Sequence, residues 1–152
     1  MKPDATGRTN PRRHAARERV LQGLYERQLA RGDDAAIAAA LEASDEFAGT
    51  DRDYFRALWG GTTRGYDELL AEVAPDVARG MDALAPIERA LLVIGAWELR
   101  HRADIPYRVV INEAVELAKR YGGTDGHRFV NGVLDRVAAR LRADEIRAVR
   151  RG

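Results

Sequence analysis

Residues Ile105 to Ala138, IPYRVVINEAVELAKRYGGTDGHRFVNGVLDRVA, decide the fold. Read at about 100° per residue, they make two amphipathic helices joined by a short glycine-rich turn. In the first, Val110, Ala114, Leu117, Ala118 and Tyr121 form one apolar stripe, edged by Tyr107 and Ile111. Pro106 suits a first helical turn, where its missing N–H costs nothing. Gly122 and Gly123 suit the helix stop, and Thr124 or Asp125 is placed to cap the next helix. The second stripe is Val130, Val133, Leu134, Val137 and Leu141.

Phe129 falls off that stripe, on a flank it shares with Arg136 and Arg140, and Arg128 immediately precedes it. On the first helix Val109, Glu113, Glu116 and Arg120 form a ridge expected to face away from the core. A solvated face with one stray aromatic explains this pattern as well as a binding face does.

Working outward, the segment after Pro86 is apolar almost all round: Ile87, Ala90, Leu91, Leu92, Val93, Ile94, Ala96, Trp97 and Leu99. Such a helix is buried, so it is expected at the centre of the core, with Glu88, Arg89 and Glu98 as its polar outlets. Thr50-Asp51-Arg52-Asp53 resembles a capping signal. The helix it starts carries Tyr54, Leu58, Gly61, Thr62, Leu69 and Leu70. Its internal Gly60, Gly61 and Gly65 predict close packing against a neighbouring helix, since glycine there costs about 1 kcal/mol against alanine. Asp33 to about Glu46 is a short alanine-rich helix. The first helix should begin near Arg12 or Arg13, run to about Arg31 and stop at Gly32, burying Ala16, Val20, Leu21 and Leu24 with Tyr25 and Gln28 beside them. That stripe, projected backwards, meets Arg13 and Arg17, which cannot be buried unpaired; either the helix projects past the body or an acid such as Glu18 neutralises them. Residues 1–10 read as a flexible tail. The segment from Arg142 onward is expected to be charged and frayed. The fold class is therefore all-α, a compact bundle of about six to seven helices, with the domain over residues 11–143 and a charged tail over 144–152.

One domain of 152 residues is expected, with a net charge of +1 and no cysteine. Cysteine zinc sites, disulfides and a thiolate nucleophile are thereby excluded. No apolar run is long enough to span a membrane, no secretory signal is evident, and a cytoplasmic protein is expected. The charge is segregated: residues 1–31 carry a net +5, residues 32–82 a net −8 and residues 83–152 a net +4. Basic ends around an acidic middle can direct an anionic polymer to one face. No His-Glu-x-x-His, nucleophile elbow, dinucleotide fingerprint or P-loop appears. Asp125 and His127, both at a helix start, fit a capping cluster better than an acid–base pair. No enzyme, cofactor or metal site is expected. Single-stranded RNA is held by cations on phosphates and aromatic rings against bases, and Arg12, Arg13, Arg17, Lys119, Arg128 and Phe129 are the right residue types.

Ile105-Pro106-Tyr107-Arg108-Val109-Val110-Ile111-Asn112-Glu113-Ala114 and His127-Arg128-Phe129-Val130-Asn131-Gly132-Val133-Leu134-Asp135 closely resemble the NusB family of bacterial transcription antitermination factors. The resemblance implies the boxA element of ribosomal RNA transcripts as ligand. It also implies the NusE ribosomal protein as partner, within the antitermination complex of RNA polymerase. It places RNA on a basic N-terminal arm, here Arg12, Arg13, His14 and Arg17, and on the start of the last helix, Asp125, His127, Arg128 and Phe129; Lys119 joins these as an RNA-binding candidate on its residue type. It places the protein partner on Tyr25, Glu88, Glu113 and Glu116. Here the arm's basic run is interrupted by His14, Ala15 and Ala16. Two rival readings stay open: a NusB-like recognition domain of an RNA methyltransferase, and a helical adaptor that binds only protein. Monomer and homodimer are both open.

Overall fold

The computed structural model describes residues 10–30 and 32–151. The expected tail lies outside the described residues except for Asn10. That residue is buried, and its side-chain oxygen accepts from the backbone N–H groups of Arg12 (3.0 Å) and Arg13 (3.3 Å). It caps the first helix.

Among the described residues there are eight α-helices: α1 (Pro11–Ala30), α2 (Asp34–Ala43), α3 (Arg52–Arg64), α4 (Tyr66–Val73), α5 (Pro86–His101), α6 (Tyr107–Tyr121), α7 (Gly126–Leu141) and α8 (Ala143–Arg151). Short 3₁₀ turns lie at Asp45–Phe47, Ala74–Asp76 and Met81–Ala83. The all-α expectation holds, with two more divisions than the sequence suggested. Gly65 ends α3 and begins α4, and the segment expected to fray is α8.

Helix α5 packs against α1, α3, α4, α6 and α7 and is the centre of the core, as its all-round apolarity predicts. Of its apolar residues Ile87 and Trp97 are only half-buried, Trp97 against α3. A Cβ on Gly61 would lie 2.0 Å from the Trp97 indole nitrogen. The glycine is therefore required by close approach of α3 to α5, as expected for it. Helix α3 is capped one residue later than the capping signal suggested, by Asp51, which accepts from Tyr54 N–H at 2.9 Å. Asp33 caps α2.

Arg142, read as the start of a frayed tail, is buried. Its guanidinium donates to the carbonyls of Leu99 (2.7 Å), Ile105 (3.0 Å), Arg102 (2.9 Å) and Glu98 (3.2 Å). Glu98 O and Arg102 O also accept from the backbone N–H groups of Arg102 and Ile105, so Arg142 reinforces these two and supplies Leu99 O and Ile105 O at the end of α5 and the loop beyond it. Glu145 of α8 accepts from Tyr107 N–H at 2.8 Å, satisfying the start of α6. Both residues tie α8 to the body.

Candidate nucleic-acid interface

The arginines at core-facing angles on α1 are the first elements of the site. Arg17 is 1 % exposed and its charge is met by two acids from other helices. Its Nε donates to both carboxylate oxygens of Glu98 (3.0 and 2.9 Å), and its Nη1 donates to Glu113 Oε1 at 2.7 Å. The Tyr54 hydroxyl also donates to Glu98. Burial works against the Arg17 charge, but Glu98, Tyr54 and Glu113 outweigh it and hold the guanidinium ionised; burial and the Glu98 charge push the Tyr54 hydroxyl well up. Two expectations are corrected here. Arg17 is enclosed in the core and presents no cation to a polymer at the surface. Its partners are Glu98 and Glu113, not Glu18, which instead accepts from Arg120 (2.9 Å) and the Tyr121 hydroxyl (2.5 Å). Glu98 is likewise no outlet of α5. A signal for the cluster was present in the sequence: an acid on an otherwise apolar helix and arginines at core-facing angles each need a buried partner of opposite charge.

The rest of the arm divides by exposure. Arg12 is exposed, with its Nη2 donating to Thr50 O at 3.2 Å. Arg13 lies over the Tyr54 ring, 4.7 Å from its centroid, and 3.9 Å from Asp104. His14 donates from Nδ1 to Glu113 Oε1 at 3.0 Å, and this bond, opposed by burial, raises its pKa above 6.5. A shallow basin of about 730 Å³ joins this end of α1 to α6, lined by Pro11, His14, Glu113, Glu116, Leu117, Lys119 and Arg120. Lys119 is exposed at its rim, 3.7 Å from Glu116. Arg120, not singled out from sequence as an RNA contact, adds a second cation there.

Past Tyr121 the chain turns into α7. Asp125 occupies the N-cap position, yet its side chain makes no capping hydrogen bond, contrary to expectation. Arg128 is exposed, while His127 and Phe129 are half-buried. Arg136 and Arg140, on the flank of Phe129, are spent internally: Arg136 donates to Asp76 O at 2.8 Å, and Arg140 to Glu72 (2.7 Å) and Asp76 (2.6 Å). Arg79, absent from the sequence reading, lies over Phe129 with its guanidinium carbon 4.4 Å from the ring centroid.

The residues expected to meet a protein partner separate in the same way. Tyr25 (40 % exposed) and Glu116 are accessible. Glu88 keeps only 13 % of its side chain exposed, beside Arg79 at 3.6 Å. Glu113, expected as an exposed polar position, is 2 % exposed in the Arg17 cluster. The ridge read as outward-facing is thus split: Val109 and Glu113 are buried, Glu116 and Arg120 exposed. The 3.6-residue period reports one face of α6, and α1 covers a second.

The NusB family model matches residues 14–139. The chain belongs to the NusB family. Among its relatives are the transcription antitermination protein NusB of Azoarcus sp. (strain BH72), 50 % identical over 91 % of this chain and 90 % of its own, and that of Aromatoleum aromaticum, 49 % identical over 91 % and 95 %. The T. maritima NusB structure superposes with a TM-score of 0.73 at 29 % identity, covering 86 % of this chain and 92 % of that one. A chain in the crystal structure of a plectonemic RNA supercoil shares the fold, with a TM-score of 0.77 at 23 % identity over 84 % and 94 %. Family membership sets the function class as transcription antitermination. Among the described residues no cluster of three or more His, Asp or Glu is placed to hold a metal ion, and no helix is long and apolar enough to cross a membrane.

Proposed function

We propose that this NusB-family protein binds single-stranded boxA RNA of ribosomal RNA operon transcripts together with the NusE ribosomal protein. It acts within the cytoplasmic antitermination complex of RNA polymerase, as a binding module that performs no reaction. The observation that carries the reading is the set of basic side chains that stays at the surface once Arg17 is withdrawn into the core. His14, Lys119 and Arg120, the last paired with Glu18, line one basin, Arg12 is exposed in the first turn of α1, and Arg128 with Phe129 lies at the start of α7. Cations for phosphates and a ring for a base are the two requirements for holding a single strand.

Loss of Arg17 from that surface favours fewer phosphate contacts than the arm's composition implied. Each contact to a single strand adds about −0.7 to the slope of log affinity against log salt. A salt titration on a boxA RNA and a scrambled RNA of equal length, with and without NusE, tests the proposal. Preference for boxA, enhanced by NusE, supports it. Equal, weak and steeply salt-dependent binding to both RNAs leaves a basic helical protein with another ligand, and no RNA binding at all favours the protein-only adaptor. Phe129→Ala should cost about 1–3 kcal/mol of RNA binding, the worth of one stacked base, with helix content by circular dichroism unchanged.

A further inference from the structure

We infer that Arg79 is a latch shared by the RNA face and the partner face: it covers Phe129 while Glu88 holds its charge, and a partner that engages Glu88 uncovers the ring. The inference rests on the functional reading above.

Arg79 lies outside the helices, between the 3₁₀ turns Ala74–Asp76 and Met81–Ala83. Its neighbour Gly80 has φ 82°, a backbone state that L side chains disfavour. The Arg79 side chain is 56 % exposed, so water, not protein, bounds most of it. It touches the two surfaces at once: 4.4 Å from the centroid of Phe129, at the start of α7, and 3.6 Å from Glu88 Oε2, in the first turn of α5. Phe129 also packs against the core. A nucleobase therefore cannot take the ring face that Arg79 occupies until Arg79 leaves it.

The Glu88 end of the latch is weakly made. Glu88 Oε2 is buried and, among the described residues, accepts no hydrogen bond; at 3.6 Å its contact with Arg79 is an ion pair beyond hydrogen-bond reach. A basic side chain of a protein partner, placed within hydrogen-bond distance of that oxygen, would form a stronger, charge-assisted bond and displace Arg79. The released guanidinium is then available to a phosphate near the start of α7, where Arg128 precedes Phe129. Partner binding and RNA binding become mutually reinforcing, and the coupling must act equally in both directions.

The test measures binding of a fluorescein-labelled boxA RNA to the full chain, with and without NusE, for wild type, Arg79→Ala, Glu88→Gln and the double variant. Without NusE, Arg79→Ala tightens RNA binding about two- to fivefold, the factor for one exposed cation–π contact, and the enhancement by NusE falls by the same factor. Glu88→Gln tightens RNA binding without NusE, and the double variant gains nothing further. Equal weakening by Arg79→Ala with and without NusE makes Arg79 an ordinary phosphate contact and overturns the latch, as does additivity in the double variant. If the wild type shows no preference for boxA RNA, the functional reading fails. The latch is then judged without RNA, from the upfield ring-current shift of the Arg79 δ-protons, with Phe129→Leu defining its absence. Loss of that shift in Glu88→Gln supports the latch, and its persistence overturns it.

Discussion

Replacing Arg17 by alanine separates a core role from an RNA-binding role. The wild-type guanidinium donates two hydrogen bonds to Glu98 and one to Glu113 from a position 1 % exposed. Its removal leaves the Glu98 carboxylate in the interior without its guanidinium, beside the Tyr54 hydroxyl, and takes one hydrogen bond from Glu113. Breaking a buried ion pair by deleting one side costs about 3–5 kcal/mol, because the surviving charge stays desolvated without its counter-ion. Against a total stability of about 5–15 kcal/mol for a domain, this is a large share, and it lowers Tm by roughly 10 °C or more. Urea denaturation followed by circular dichroism at 222 nm reads the loss directly. Arg17→Met combined with Glu98→Gln should recover part of it, since the double change removes a stranded charge, so the two effects are not additive. At a temperature where Arg17→Ala is still folded, its boxA RNA affinity should stay within about twofold of wild type, because no phosphate contact has been lost. A loss of stability below about 1 kcal/mol, accompanied by a tenfold loss of RNA affinity, would refute the reasoning and return Arg17 to the RNA face.

Three further perturbations follow from the same geometry. Folded His14 holds its proton more tightly than an unfolded histidine, so the stability it contributes is complete below pH 6.5 and is lost as pH rises through its higher folded-state pKa. Urea midpoints measured from pH 5.5 to about 9 should fall across that window and flatten in His14→Gln; an identical slope in the variant would assign the dependence elsewhere. Arg142→Ala removes hydrogen bonds to the carbonyls of Glu98, Leu99, Arg102 and Ile105, of which only Glu98 and Arg102 also have a backbone donor among the described residues. With hydrogen bonds to charged groups worth about 1.5–3 kcal/mol each, it should destabilise the fold by at least about 3 kcal/mol; a denaturation midpoint within error of wild type would refute that role for Arg142. Gly61→Ala sets a Cβ 2.0 Å from the Trp97 indole nitrogen, an overpacking cost of about 1–3 kcal/mol that outweighs the roughly 1 kcal/mol alanine gains in helix propensity. In a Trp97→Leu background the penalty should disappear, and its persistence would place the strain in the helix itself.

Where one periodicity carries the information, the sequence was read correctly. The stripes of α6 and α7 and the all-apolar α5 predicted the core, because burial of side chains at a fixed angular spacing needs nothing beyond the helix; the stripes fail only at their ends, where Tyr121 is exposed and Leu141 half-buried. The same period set Phe129 off the α7 stripe, where it is half-buried; Arg12, Lys119 and Arg128, chosen from sequence by residue type, are exposed. Errors arose where a second helix covered a face that the period treats as solvent: Val109, Glu113 and Glu98 are buried by such neighbours. Arg142 was missed because a charged residue after the last stripe looks the same whether it meets water or four carbonyls from a loop some 40 residues earlier.

The sequence by itself determined the all-helical class, the central helix, the family and the residue types from which an RNA surface could be made. All of these depend on local spacing or on runs of adjacent residues. Only the tertiary structure decided which charges are spent inside and which reach solvent: Arg17 with Glu98 and Glu113, Arg140 with Glu72 and Asp76, Arg79 between Phe129 and Glu88. An ion pair between helices is set by interhelical distance and orientation, which no periodicity within either helix encodes.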